Sequence, residues 1–255
     1  MKIVIIGTGN VAWHLVNAIQ QSTHRVIQLV NLHSHKVSSD FEKFNIPYAF
    51  LYTDIVLEAD VYIIAISDKE IATLQLPILN NKQIVIHTSG IAEIELLKKY
   101  CVNFGCIYPV QTLTKGIPID FTRVPLIIEA SNMMAKEKCM DFALTLSPYV
   151  LYLSLHKRQV LHLAAVLVNN FTNQLFVEAK QLLDKESISF DLLKPLLSET
   201  ISKLNQLHPL DAQTGPAKRN DVLTLLMHEN LIEENSLLLQ IYKLMTTAIQ
   251  KQAKN

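Results

Sequence analysis

The sequence predicts an α/β fold in its first half and an all-α fold in its second. Up to about residue 155, short apolar runs alternate with helical stretches, the pattern of βαβ units and a parallel sheet. Beyond that point no strand pattern follows, and helical stretches are broken sharply only at Gly215-Pro216. A third observation orients the first half: Gly7 and Gly9 stand directly between the first apolar run and the first helix.

Each element follows from its residues. Residues 2–6 (KIVII) form the continuous β-branched run of a strand buried on both faces. Residues 10–21 place Val11, Leu15, Ala18 and Ile19 on one helical face. Residues 26–30, 61–66 and 83–87 are the next strands, and 105–108, 126–128 and 150–153 are shorter ones. Residues 157–184 hold neither glycine nor proline and predict one helix, of roughly 40 Å at the α-helical rise. Stretches 192–207, 221–231 and 233–252 complete the helical half. These elements predict one domain over 1–155 and a second over 156–255.

Composition narrows the function classes. Hydrophobic residues make up 49% and charged residues 18%, enough for a packed core. The 23 basic and 23 acidic residues cancel and are mixed along the chain, so there is no electrostatic footprint for nucleic acid or an anionic membrane. Cys101, Cys106 and Cys139 are odd in number and lack metal-ligand spacing, against a disulfide scaffold or a structural zinc site. The N-terminal apolar run breaks at Gly7, unlike a signal peptide. No segment reads as a run of the ~20 apolar residues a membrane helix needs. The expectation is a cytoplasmic protein with reduced cysteines and no metal.

Gly7-Thr8-Gly9-Asn10-Val11-Ala12 reads G-x-G-x-x-A between a strand and a helix, the fingerprint of a Rossmann dinucleotide-binding domain. Gly7 makes the tight turn, Gly9 lets the backbone approach a pyrophosphate, and Ala12 permits close packing of helix on strand. The helix N-terminus then faces the anion with free N–H groups. Gly7, Thr8, Gly9, Asn10 and Val11 are therefore expected to hold the cofactor. NAD enzymes place an acidic residue at the end of the second strand, about 20 residues beyond the glycines. Here residues 29–36 contain no Asp or Glu, and Asn31, His33, Ser34, His35 and Lys36 all donate hydrogen bonds. That composition suits a 2′-phosphate and predicts NADP, with Asn31, Ser34 and Lys36 at the adenosine end. For His33 and His35 a solvated-loop role stands equally.

Five motifs occur in order: G-T-G-N-V-A at the start, S-D-K-E-I at 67–71, H-T-S-G at 87–90, Y-P-V-Q-T at 108–112, and Q-T-G-P-A-K-R-N-D at 213–221. The set, spread over nearly the whole chain, resembles the Rossmann-like candidate NADP oxidoreductases with an all-helical C-terminal domain of unknown function. That family is similar, distantly, to pyrroline-5-carboxylate reductase, ketopantoate reductase and the β-hydroxyacid dehydrogenases. The resemblance implies a two-domain reductase and names no substrate.

Active sites in open α/β sheets lie beyond the carboxyl ends of the strands. Ile66 and Ser67 end one strand beside the expected nicotinamide ribose; His87, Thr88 and Ser89 end the next, and Tyr108-Pro109 a third. Ser67, His87, Thr88 and Ser89 can bond a substrate carbonyl or the nicotinamide; alternatively His87 is buried and satisfied by backbone groups. His162 and Asn169 lie at i and i+7, hence on one helical face. The resembling β-hydroxyacid dehydrogenases use a lysine and an asparagine on this helix, but here the positions upstream of the asparagines are Ala165 and Val166. Either His162 serves as proton donor in the lysine's place, or it is a polar residue of an interhelical or subunit interface. Arg219 either holds a substrate carboxylate in a bidentate fork or pairs with Asp221, whose expected role is to cap a helix.

The leading functional expectation is NADP-dependent reduction of a small carbonyl or imine acid, with His162, Asn169 and His87 catalytic and Ser89 and Arg219 on the substrate. A non-catalytic NADP-binding sensor is the alternative, favoured by the missing lysine; a structural dimerisation protein is a third. Leu161, Leu163, Val166, Leu167, Phe171 and Leu175 spread around their helix, and Leu237, Leu238, Leu239, Ile241, Leu244 and Met245 around the last. Helices apolar nearly all round need cover on every side, which predicts a homodimer through the C-terminal helices. The resembling reductases pair through the same half.

Overall fold

The computed structural model describes residues 1–33, 36 and 38–253. The expected cofactor residue Ser34, with His35, lies outside the described residues. Two compact units divide the chain, residues 1–170 and 171–255.

The first unit opens with β1 (Lys2–Ile6), α1 (Asn10–Gln20), β2 (Arg25–Val30), the single-turn α2 (Ser39–Glu42), the very short β3 (Tyr48–Ala49), β4 (Val61–Ile64), α3 (Asp68–Ile71) and β5 (Ile84–His87). It continues with β6 (Phe104–Pro109), β7 (Leu126–Ala130), α4 (Met133–Leu146), β8 (Val150–Tyr152) and α5 (Leu155–Ala165). The strands make one eight-stranded sheet in the order β3-β2-β1-β4-β5-β6-β7-β8. The order reverses between β1 and β4, the switch point at which a doubly wound sheet opens a ligand crevice.

Both faces of the sheet are covered, which is why its strands read as unbroken apolar runs. Ile3 and Ile5 pack on one face with Leu15 and Ile19 of α1 and Phe142 of α4; Val4 and Ile6 pack on the other with Ile71 and Leu97. The sheet is parallel except that β6 pairs with β7 antiparallel, where the sequence had predicted a parallel sheet. The β6–β7 connection contains one 3₁₀ turn, Phe121–Arg123, and no crossover helix, so the chain turns straight back. α4 then provides the crossover, and β8 returns parallel to β7.

Among the described residues the second unit is helical: α6 (Thr172–Lys185), α7 (Lys194–Lys203), α8 (Pro209–Ala212), α9 (Pro216–Arg219), α10 (Val222–Leu231) and α11 (Ser236–Ala253). Asp221 caps α10, its carboxylate accepting from Thr224 N at 3.2 Å and the Thr224 hydroxyl at 2.8 Å.

One expectation is corrected here. The helical stretch Leu155–Lys185 is long and apolar enough to cross a membrane by length and composition. Polar residues such as Gln159, Asn169 and Asn170 break its apolar runs, and the leucines, valines and alanines around them keep the average high. Its first turn nevertheless belongs to the Rossmann core, because Arg158 is fully buried there.

Candidate active site

The glycine turn is built as its residues dictate. Gly7 donates its N–H to Val30 O at 2.8 Å and takes φ +112°, in the region that favours glycine. A Cβ on Gly7 would stand 2.3 Å from Ala65 O, so the close approach of β1 to β4 also requires glycine. Gly9 differs: a Cβ there would meet no atom of the described residues within 4 Å. The space beside it is open, as a ligand's close approach demands. Among the described residues no side chain caps α1, whose N-cap is Gly9, and no acidic residue sits in its first turn. Its leading N–H groups are thus left for an anion. Fully buried Ala12 packs this helix on the sheet.

A cavity of about 620 Å³ opens over this turn, and among its walls are Gly7, Thr8, Gly9, Asn10, Val11, Asn31, Ile66 and Ser67, all predicted cofactor residues. An open-faced glycine, an uncapped helix N-terminus and a crevice at the switch point together fit a dinucleotide. Thr88 lies elsewhere, in a second cavity. Lys36 does not line this cavity; its carbonyl accepts a 3.4 Å bond from the Asn31 amide.

His33, Tyr52, Glu70 and Thr73 also line the nucleotide cavity. Glu70 was not foreseen. Its Oε2 accepts from Ser67 N at 3.2 Å and from the Ser67 hydroxyl at 2.5 Å, and its Oε1 lies 2.7 Å from His33 Nε2. The Ser67 hydroxyl above all, with His33 beside it, holds the Glu70 carboxyl below its usual range. An acid therefore does reach the loop after β2, but from α3. The available signal was S-x-x-E at 67–70, a helix-start pattern in which the glutamate turns back.

The second cavity, about 470 Å³, shares Asn10 and Val11 with the first and is lined also by Thr88, Tyr108, Gln111, His162 and Asn169. The Tyr108 hydroxyl lies 3.1 Å from His162 Nδ1, and the two rings meet edge-on with centroids 5.7 Å apart. Burial raises the Tyr108 phenol above its ordinary value, so it is protonated at neutral pH. Asn169 sits in a π-helical turn, Val166–Phe171, that interrupts the regular helix at the cavity wall. His162, Asn169 and Thr88 are thus brought together.

His87 and Ser89 line neither cavity. His87 is fully buried; its Nδ1 accepts from Ser89 N at 3.2 Å, and its Nε2 has no hydrogen-bond partner. Burial, helped by the Arg158 charge, lowers its pKa to about 3 and keeps the ring neutral. The Ser89 hydroxyl accepts from Ile91 N and Ala92 N at 3.1 and 2.9 Å, closing a turn.

Arg158 organises this region and was also missed. Its Nη1 donates to Ser89 O at 2.7 Å, and its Nη2 to Ala92 O and to Glu129 Oε2, each at 2.8 Å. The other Glu129 oxygen accepts from Leu155 N at 3.1 Å. A buried guanidinium with its donors satisfied pins the start of α5 to β7 and to the loop after β5. His162 follows one helical turn later.

Arg219 belongs to the second unit, where it ends α9 with its side chain exposed. Among the described residues no His, Cys, Asp and Glu side chains gather into a metal site. The three cysteines are free and buried, and burial pushes the Cys139 thiol up to about 12.

Two family models match the chain. Residues 2–90 match "NADP oxidoreductase coenzyme F420-dependent", and residues 124–249 match "Domain of unknown function (DUF2520)". No curated protein sequence gives a significant match. Among solved structures, a candidate NADP oxidoreductase from Bacteroides fragilis is 30% identical, with 98% of each chain covered and a TM-score of 0.91. Two more distant structures share the fold. A 1-pyrroline-5-carboxylate reductase from Streptococcus pyogenes is 16% identical, covering 100% of this chain and 99% of its own, with a TM-score of 0.65. An imine reductase from Myxococcus stipitatus in complex with NADP+ is 16% identical, covering 100% and 94%, with a TM-score of 0.63. With the glycine turn in place and a relative 30% identical along nearly its whole length, the chain belongs to the Rossmann-fold NADP oxidoreductases that end in a DUF2520 domain.

Proposed function

We propose that this NADP-dependent oxidoreductase reduces a small carbonyl or imine acid. One observation carries the reading: Asn10 and Val11 line both cavities, so the nucleotide crevice adjoins a second cavity furnished with Tyr108, His162 and Asn169. Bound NADPH supplies a hydride. Gly7, Thr8, Gly9 and the start of α1 hold its pyrophosphate, and Asn31, Ser34 and Lys36 attend the 2′-phosphate. His162 and Asn169 face the substrate and supply hydrogen bonds, and the proton enters from the side of the site that His162 occupies. The chemistry is assigned there rather than to His87, which is sealed in the core and held neutral. The imine class draws support from the two reductases that share the fold, and the acid group rests on the chemistry of Arg219. We further propose a homodimer through the helical unit and, from the three buried thiols, a cytoplasmic home.

The absence of a lysine at Ala165 and Val166 favours a second reading, an NADP-binding sensor without turnover. One experiment addresses both. Gly9→Val puts a side chain into open space, so the protein is expected to fold while losing NADPH binding, followed by nicotinamide fluorescence. Unchanged affinity in a folded variant overturns the cofactor site. The wild-type protein is then screened against 2-oxo acids and cyclic imines at the NADPH absorbance band; binding without oxidation of NADPH by any of them selects the sensor.

A further inference from the structure

Tyr108 and His162 line one cavity and touch each other, yet they are not equivalent. Tyr108 stands at the carboxyl end of β6, fixed in the sheet and nearly buried. His162 Nδ1 is hemmed in on two sides: the phenol oxygen lies 3.1 Å from it, and a Cβ on Gly90 would stand only 2.5 Å from it. A proton on Nδ1 has the phenol as its near acceptor. A phenol oxygen that accepts from Nδ1–H keeps its own O–H free to point elsewhere.

We propose that Tyr108 is the catalytic acid of this site, giving its hydroxyl proton to the carbonyl oxygen or imine nitrogen of the substrate, and that His162 is the positioning residue that holds and recharges it. This rests on the reductase reading above. As the substrate carbon gains a hydride from the reduced nicotinamide, the C=O or C=N π pair moves onto oxygen or nitrogen and takes the Tyr108 proton. The O–H bond pair stays on the phenolate oxygen. As Nδ1 of His162 gives its proton to that oxygen, Nε2 of the partly exposed ring takes one from water, and the ring returns to its Nδ1–H form by exchange with solvent, so the net proton comes from solvent. Arg158, buried one turn earlier on α5, sets the helix register that keeps the imidazole against the phenol.

The test uses the full-length protein. ¹H–¹⁵N spectra of the imidazoles, with the His162 signals identified by their loss in His162→Gln, report which ring nitrogen carries the proton. A proton on Nδ1 whose shift moves in Tyr108→Phe is the expected result, and a His162 protonated on Nε2 alone overturns the proposal. With NADPH and whichever cyclic imine or 2-oxo acid is reduced, Tyr108→Phe is expected to lower kcat by about 100-fold or more, with NADPH affinity unchanged. His162→Gln is expected to lower kcat less. Wild-type kcat in Tyr108→Phe also overturns it. If NADPH binds but no probe is reduced, the reductase reading fails by itself, and the tautomer of His162 still decides the hydrogen-bond direction on which the proposal depends.

Discussion

Gly90 and His162 compete for one space: a Cβ on Gly90 would stand 2.5 Å from His162 Nδ1 and 2.9 Å from Cγ of the same ring. Gly90 is needed here for room, since its backbone is not among those at positive φ. Gly90→Ala is therefore expected to push the imidazole off Tyr108 while the sheet stays intact. The overpacking cost is on the order of 1 kcal/mol, because a side chain can swing where backbone cannot. Thermal denaturation measures that cost, and the His162 imidazole shift reports the displacement. An unmoved His162 signal would show that the ring does not occupy this space.

Much of this was legible in the sequence, and the parts that were not share a cause. Gly7 and Gly9 could be read because backbone geometry and chain order define their task. The strands could be read because burial on two faces writes an apolar run. The antiparallel β6–β7 pair could not, because strand direction is set by the connection. Glu70 belongs to the loop after β2 in space but not in sequence. Arg158 looked like any charged residue at a helix start, a type that is rarely buried, and its partners Glu129, Ser89 and Ala92 come together only in the fold. His87 and His162 looked alike as histidines; burial separates them.

The His33–Glu70 pair makes cofactor preference adjustable. A 2′-phosphate that recruits His33 must take it from Glu70, whose carboxylate lies 2.7 Å from Nε2. Glu70→Gln removes the competing charge and is expected to tighten NADPH several-fold relative to NADH. The gain is small because the pair is largely exposed. His33→Ala is expected to weaken NADPH and leave NADH unchanged. Fluorescence titrations of both cofactors at two salt concentrations check this, since added salt should shrink the difference. A Glu70→Gln protein that binds NADPH more weakly would make the carboxylate an organiser of the site and not a competitor.

His87 ties stability to pH. Its folded pKa is lowered to about 3 from 6.5, so between these values the unfolded chain binds a proton that the folded chain refuses. Its contribution is fully present above pH 6.5 and is lost as pH falls toward 3, at about 1.4 kcal/mol per pH unit. Gln at this position keeps an acceptor for Ser89 N and never titrates. In urea titrations from pH 7 to pH 4.5, the wild-type midpoint should fall more steeply than that of His87→Gln. Parallel slopes would mean that His87 protonates freely in the folded protein.

The helical unit sets the last prediction. Leu223 is 82% exposed in the single chain, Leu231 74%, Leu192 72% and Leu244 71%. They come from three different segments of the unit, the 3₁₀ turn Phe190–Leu193, α10 and α11. Scattered single leucines on a surface need no explanation, but apolar surface on this scale marks an interaction site. A second copy offers the same apolar surface, and closed two-fold dimers are the commonest way to bury one. The protein is accordingly expected to scatter light as a dimer at micromolar concentration. Leu244→Asp would place a carboxylate in the buried face of both protomers, and a charge without a partner there costs several kcal/mol per site. The variant should dissociate to folded monomers that still bind NADPH, because Gly7, Gly9 and α1 lie in the other unit. A wild-type chain that remains monomeric at micromolar concentration would remove the dimer, and a Leu244→Asp protein that remains dimeric would move its interface away from α11.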